Sequence, residues 1–262
     1  MSELGEFLVS RRAEGRKLFV PYLMSGAPDD ASFIAAFEAV APFADAVEVG
    51  LPFSDPLMDG PVIAAAGERV LRRGLGPLAA LDLAARLEGS ARRVVMTYYN
   101  PIHRIGEAAF CRRAVDAGIV GLIVPDLPLE ESASLRGCCQ DHGLAWIPLV
   151  APTSSADRVA RITDTATGFV YAVSTLGVTG TRAALSERAA QVVAACREAT
   201  DKPVLIGIGV SNPDQAVAAA TDADGVVVGS ALVRLVDEEG AEPAGDFARS
   251  VRAALDAMAP AS

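Results

Sequence analysis

The chain has 262 residues, of which 51% are hydrophobic and only 21% charged, a balance that supports a sizeable core and excludes a disordered chain. A net charge of −10 favours solubility and works against nonspecific binding to nucleic acid or an anionic membrane surface. A phosphorylated metabolite stays open as a ligand where a site supplies local donors.

The first fifteen residues carry acids early and hold no long apolar run, so they do not read as a signal peptide. Nowhere does an apolar stretch approach the ~18 residues that span a bilayer. Residues 3–15 predict a helix ahead of the first strand. Short runs rich in Val, Ile and Leu then recur at 18–23, 46–50, 93–98, 121–125, 145–150, 169–173, 204–209 and 225–229. They are near-continuous rather than alternating, the pattern of parallel strands covered on both faces. Amphipathic stretches between them, at 29–41, 106–117, 130–142, 155–165, 182–200 and 212–221, are long enough to be crossover helices, and 244–257 reads as the last outer helix. Cys111, Cys139 and Cys196 fall in helix-like segments with Cys138 adjacent; without CxxC spacing they read as reduced thiols, and a cytoplasmic enzyme is the default.

Eight strand candidates alternating with helices in a chain near ~250 residues is the arithmetic of a (β/α)8 TIM barrel. A doubly wound sheet competes, but would usually need fewer strands or a second domain. No Pro/Gly/Ser-rich linker divides the chain. The prediction is one α/β barrel domain over residues 1–262 with an extra N-terminal helix able to close its bottom.

Barrel sites lie at the C-terminal ends of the strands and in the loops that follow. That rule puts Glu48 at the end of the second strand and Asp59 in the loop after it. Tyr98 and Asn100 close the third strand, Asp126 the fourth, and Tyr171 and Ser174 the sixth. Lys17 and Lys202 precede strands and fall at the opposite face. The stretch 47–61, VEVGLPFSDPLMDGP, places Glu48 between valines and follows it with a stiff acid-bearing loop. Burying an unpaired carboxylate is costly, so a catalytic acid–base pair of Glu48 and Asp59 is favoured over a structural acid.

A phosphate cradle is predicted from STLGVTGTR (174–182), GIGVSN (207–212) and GSALV (229–233). Gly180, Gly209 and Gly229 allow backbone N–H groups close to an anion, and Ser230 starts a short helix aimed at it. No lysine stands at the mouth for a Schiff base. His142 precedes a strand at the wrong face and His103 stands alone in a loop, so clustered histidines for a metal are missing. Proton transfer by carboxylates is what remains.

At this point the residues resemble the tryptophan synthase α-subunit family. The resemblance rests on the 47–61 stretch, PDLPLEES (125–132), YAVSTLGVTGTR (171–182) and VGSALVRL (228–235), in order and over nearly the whole chain. It implies cleavage of indole-3-glycerol phosphate to indole and glyceraldehyde 3-phosphate by a retro-aldol step without a cofactor. On this resemblance Glu48 is the general acid–base that protonates indole C3 and helps take the glycerol hydroxyl proton. Asp59 receives the indole N–H. Tyr22, Tyr98 and Tyr171 fall in the substrate pocket, and Gly180, Gly209, Gly229 and Ser230 on the phosphate cradle. Thr179 falls in a mobile loop whose closure excludes water and orders Asp59. Pro52 and Asp55 face a β subunit, a pyridoxal-phosphate enzyme that receives indole through a tunnel in an α2β2 assembly. The chain departs from the family pattern at Val62 and Ala64 after the GP pair, at Ala27, where an acid is common, and at Tyr22, where Phe is usual. Both acids are retained, which leaves a stand-alone indole-3-glycerol phosphate lyase as the alternative; a non-enzymatic activator or a sugar-phosphate isomerase explains the acid loop less well.

Overall fold

The computed structural model describes residues 1–173, 182–207 and 209–258, so the predicted Ser174, Thr179 and Gly180 lie outside the described residues. Among the described residues nine strands form one sheet: β1 (Leu18–Met24), β2 (Val47–Gly50), β3 (Arg93–Met96), β4 (Ile119–Ile123), β5 (Ala145–Trp146), β6 (Leu149–Val150), β7 (Val170–Val173), β8 (Val204–Gly207) and β9 (Gly225–Val228). Every pairing is parallel, and the order is β5-β4-β3-β2-β1-β9-β8-β7-β6. The two ends of that order are consecutive in the chain. The predicted strand 145–150 is divided at Ile147 and Pro148, because proline has no N–H to give to a ladder. Ile147 N–H still bonds to the Leu122 carbonyl (3.1 Å) and Tyr171 N–H to that of Pro148 (3.0 Å), so the two halves act as one barrel strand and the sheet closes on itself.

Alternation along the strands sorts the core into two layers. Val47, Val49, Phe19, Leu23 and Val95 pack outward against the helices. Leu18, Val20, Ala46, Val94, Ile123, Ile147, Phe169, Leu205 and Val227 fill the barrel interior, together with Leu4 and Leu8 of the helix Glu3–Ala13. That helix is the predicted bottom plug. Its N-cap is Ser2, whose hydroxyl accepts the Gly5 N–H. Buried acids at the bottom are paired: Asp45 accepts the Phe19 N–H and bonds to Arg16, while Asp224 accepts the Val204 N–H. Lys17 and Lys202 cap backbone carbonyls there, at Ala223 and at Thr163 and Asp164.

The link from β2 to β3 holds the helices Pro61–Arg72 and Pro77–Ala84, each opened by a proline in the first turn, where a missing N–H costs nothing. After β3 the chain enters a seven-residue helix, Tyr99–Ile105. Asn100 therefore belongs to that helix rather than to the strand, and so does His103, which the sequence had placed in a loop. Pro101 is tolerated there because first-turn N–H groups need no intrahelical partner. All four cysteines are free and helical, Cys138 included. Among the described residues no helix is long and apolar enough to cross a membrane.

Candidate active site

Glu48 projects into the barrel because its neighbours Val47 and Val49 face the helical shell. Its register partners are Tyr22 on β1 and Val94 on β3. The residue is 1% exposed, and Oε2 has no hydrogen-bond partner among the described residues. Burial, and secondarily the nearby charge of Asp59, push its carboxyl up to about 8. In lacking a partner for Oε2 it differs from Asp45 and Asp224 at the barrel bottom, which are hydrogen-bonded.

Asp59 lies in a compact loop between β2 and the helix Pro61–Arg72, turned by bonds from Leu57 N–H to the Asp55 carbonyl (2.9 Å) and from Asp59 N–H to that of Pro56 (3.2 Å). Burial raises its carboxyl to about 6, against the lowering effect of a hydrogen bond from the Tyr98 hydroxyl. Tyr98 holds the loop in two further ways. Its hydroxyl accepts the Met58 N–H at 3.0 Å, and its ring stacks on Phe53 with centroids 5.0 Å apart.

The two acids share a cavity of about 180 Å³ with Tyr22, Tyr171, Gly209, Gly229 and Ser230, between apolar walls that include Ile63, Met96 and Leu149. Both Tyr22 and Tyr171 have hydroxyls pushed well above their ordinary value, by burial first and then by the two acids, so they remain neutral. The Tyr22 hydroxyl lies 4.0 Å from the Met24 sulfur and occupies the space beside Gly50, where a Cβ would sit 1.9 Å from it. On the same lining Gly229 precedes the helix Ser230–Glu238, whose first N–H groups have no intrahelical acceptor and favour an anion. Gly209 has φ +70°, a conformation that side chains disfavour. The arrangement sets proton-transfer groups and anion-binding backbone around one partly apolar slot.

The family model for the tryptophan synthase alpha chain matches residues 8–259. The chain belongs to the tryptophan synthase α-chain family. The α chain of Carboxydothermus hydrogenoformans is 44% identical over 240 residues, covering 90% of each chain. A structure of Mycobacterium tuberculosis tryptophan synthase matches at a TM-score of 0.88 and 41% identity, covering 97% of this chain and 98% of that one. A chain of the tryptophan synthase α2β2 complex from Pyrococcus furiosus matches at a TM-score of 0.82 and 32% identity, covering 92% and 98%.

Of the predicted site residues within the described range, the structure brings Tyr22, Glu48, Asp59, Tyr171, Gly209, Gly229 and Ser230 onto one cavity and leaves Tyr98, Pro52 and Asp55 off its lining. Tyr98 stands behind Asp59 and Met58 rather than along the slot. Pro52 is buried beside the helix Pro61–Arg72, while Asp55 is exposed. Between Asp55 and Met58, Leu57 is 86% exposed, a large apolar side chain in water that the sequence reading did not single out. Ala27, one of the departures, is buried with Tyr22, Met24, Ala66, Val70 and Val233, and Val62 and Ile63 pack on the same cluster. The walls Met96, Ile63 and Leu149 were also missed, though Met96 and Leu149 sit one or two residues from a predicted strand end and Ile63 four residues after Asp59.

Proposed function

We propose that this chain cleaves indole-3-glycerol phosphate to indole and glyceraldehyde 3-phosphate, with Glu48 and Asp59 as the catalytic residues. The observation that carries the reading is the environment of Glu48, an inward-facing, unpaired carboxyl held up to about 8 beside an acid held near 6. At neutral pH Glu48 is then a proton donor and Asp59 an anion, two roles set by environment.

Glu48 protonates indole C3, and the positive charge that appears on the ring N–H is met by the Asp59 carboxylate. The bond between C3 and the glycerol carbon then breaks and its electrons return to the ring. The glycerol hydroxyl gives its proton to the Glu48 carboxylate as its C–O bond becomes the aldehyde C=O. Glu48 ends as it began, so the cycle needs no net proton. Tyr22, Tyr171, Met96 and Leu149 flank the indole. Gly209, Gly229 and Ser230, with Gly180 by the family resemblance, receive the phosphate, and Thr179 by the same resemblance belongs to the loop whose closure orders Asp59.

The whole chain acts as one barrel domain in the cytoplasm, as the α half of an α2β2 tryptophan synthase that passes indole to a β subunit. The Pyrococcus furiosus relative, solved as such a complex, supports that assembly, as do the exposed Asp55 and Leu57 on the acid loop. The deciding experiment is indole release from indole-3-glycerol phosphate by wild type and Glu48→Gln, with and without a β subunit. Glu48→Gln should fold normally and lose on the order of a thousandfold in rate. A loss of less than about tenfold would remove the acid–base role. Turnover of the isolated chain unchanged by the β subunit would replace the paired reading with a stand-alone lyase.

A further inference from the structure

We propose that Asp126 is a positioning residue for the cleavage, acting through Tyr98 on Asp59. Asp126 lies in the turn after β4 and has no part in the acid pair, the slot or the phosphate end. Its Oδ1 accepts the Tyr99 N–H at 2.9 Å. Tyr99 opens the helix Tyr99–Ile105, whose N-cap, Tyr98, makes no side-chain cap bond of its own. The cap for the helix after the third strand is therefore supplied by the loop after the fourth.

That bond fixes the backbone next to Tyr98, two residues beyond the end of β3, and the direction of the Tyr98 ring follows. The ring stacks on Phe53, its hydroxyl accepts the Met58 N–H, and that hydroxyl sits beside the Asp59 carboxyl, whose titration it lowers. Two contacts that hold the acid loop, next to Asp59, thus hang from one side chain, and that side chain hangs from Asp126. The next residue is braced as well: the Tyr99 hydroxyl donates to Glu107 Oε1 at 2.9 Å. Asp126 makes no ion pair among the described residues, so its acceptor role toward Tyr99 is the contact that matters. Asparagine keeps that acceptor and alanine removes it.

The inference rests on the cleavage reading, and its test has a readout that does not. Wild type, Asp126→Ala, Asp126→Asn, Tyr98→Phe and the Asp126→Ala/Tyr98→Phe double variant are compared in steady-state cleavage, all with the same β subunit. In parallel the Asp59 carboxyl is titrated by NMR; Glu48, Tyr22, Tyr98 and Tyr171 are the titratable groups facing it. Asp126→Ala should lower kcat about three- to tenfold, the rate equivalent of one hydrogen bond, with little change in KM because the phosphate end is untouched. Asp126→Asn should restore kcat. The double variant should be no slower than Tyr98→Phe alone, since both act on one path. Asp59 should titrate higher in Asp126→Ala, because the Tyr98 hydrogen bond that lowers it is loosened. A wild-type kcat and an unmoved Asp59 titration in Asp126→Ala, with only Tm reduced, would make Asp126 a plain helix cap and overturn the proposal. An Asn variant as slow as the Ala variant would overturn it too. If Glu48→Gln cleaved like wild type in the same assay, the reaction would be misread, while the Asp59 titration would still decide the positioning.

Discussion

The charge of Asp59 helps keep the Glu48 carboxyl protonated, because Asp59 gives up its proton first, while Glu48 is still neutral. The order of ionisation follows from depth. Glu48 is buried at a strand end without a partner for Oε2, whereas Asp59 has the Tyr98 hydroxyl and a partly open side. Cleavage needs Glu48 protonated and Asp59 ionised, so kcat/KM should be bell-shaped, falling below about 6 and above about 8. The substrate phosphate also titrates near ~6, so the acid limb is assigned with Asp59→Asn. That variant is slow but should lose the limb. Its survival would assign the limb to the phosphate.

The same burial makes Glu48 a stability cost at high pH. Its carboxyl rises from 4.5 to about 8 on folding. The folded chain therefore holds a proton that the unfolded chain releases between those values. Stability from this group is full below 4.5, declines as pH rises toward 8, and is constant above it. At ~1.4 kcal/mol per unit the decline approaches about 5 kcal/mol. Glu48→Gln has no such proton, so its stability relative to wild type should grow across that window and level off above it. Urea unfolding of both proteins from pH 5 to 9 measures the difference; a constant offset would show that Glu48 ionises in the fold as it does in water.

Gly50 is a packing requirement rather than a turn. An added Cβ would lie 1.9 Å from the Tyr22 hydroxyl oxygen and 2.3 Å from the ring carbon that carries it. Gly50→Ala should drive Tyr22 into the slot, costing about 1–3 kcal/mol of stability. It should also raise KM for the indole-bearing substrate. A crystal structure or a binding titration with indole checks this, and unchanged indole affinity would mean that Tyr22 relaxes away from the slot.

Much of this was legible because it is local. A glutamate inside an apolar run, flanked by valines that must face the shell, can only point inward, so Glu48 declared itself. Gly229 and Ser230 did so through their place after the last strand. The hold on Asp59 was not legible, because Phe53, Met58, Tyr98 and Asp126 come from three separate loops and meet only when β2, β3 and β4 pair. The helix Tyr99–Ile105 is too short to show a period, and the run 145–150 hid a break that one proline makes. Leu57 carries no pattern at all; only its 86% exposure marks it.

The plug at the barrel bottom separates stability from chemistry. Leu4 is 1% exposed and Leu8 fully buried, and both belong to the interior cluster with Leu18, Val94, Ile147 and Phe169. The acids and the phosphate end lie at the opposite mouth. Leu4→Ala removes most of a side chain from a closed interior that cannot collapse around the gap, so it should cost about 2–5 kcal/mol. The helix that carries it is also tied by Ser2, whose N–H and hydroxyl both donate to the Thr167 carbonyl, and that anchor is untouched by the substitution. The loss should therefore appear in urea unfolding, with kcat and KM at their wild-type values below the transition. A fall in kcat at a temperature where Leu4→Ala is fully folded would mean that the plug reaches the mouth through the interior layers, and that the two ends of the barrel are coupled.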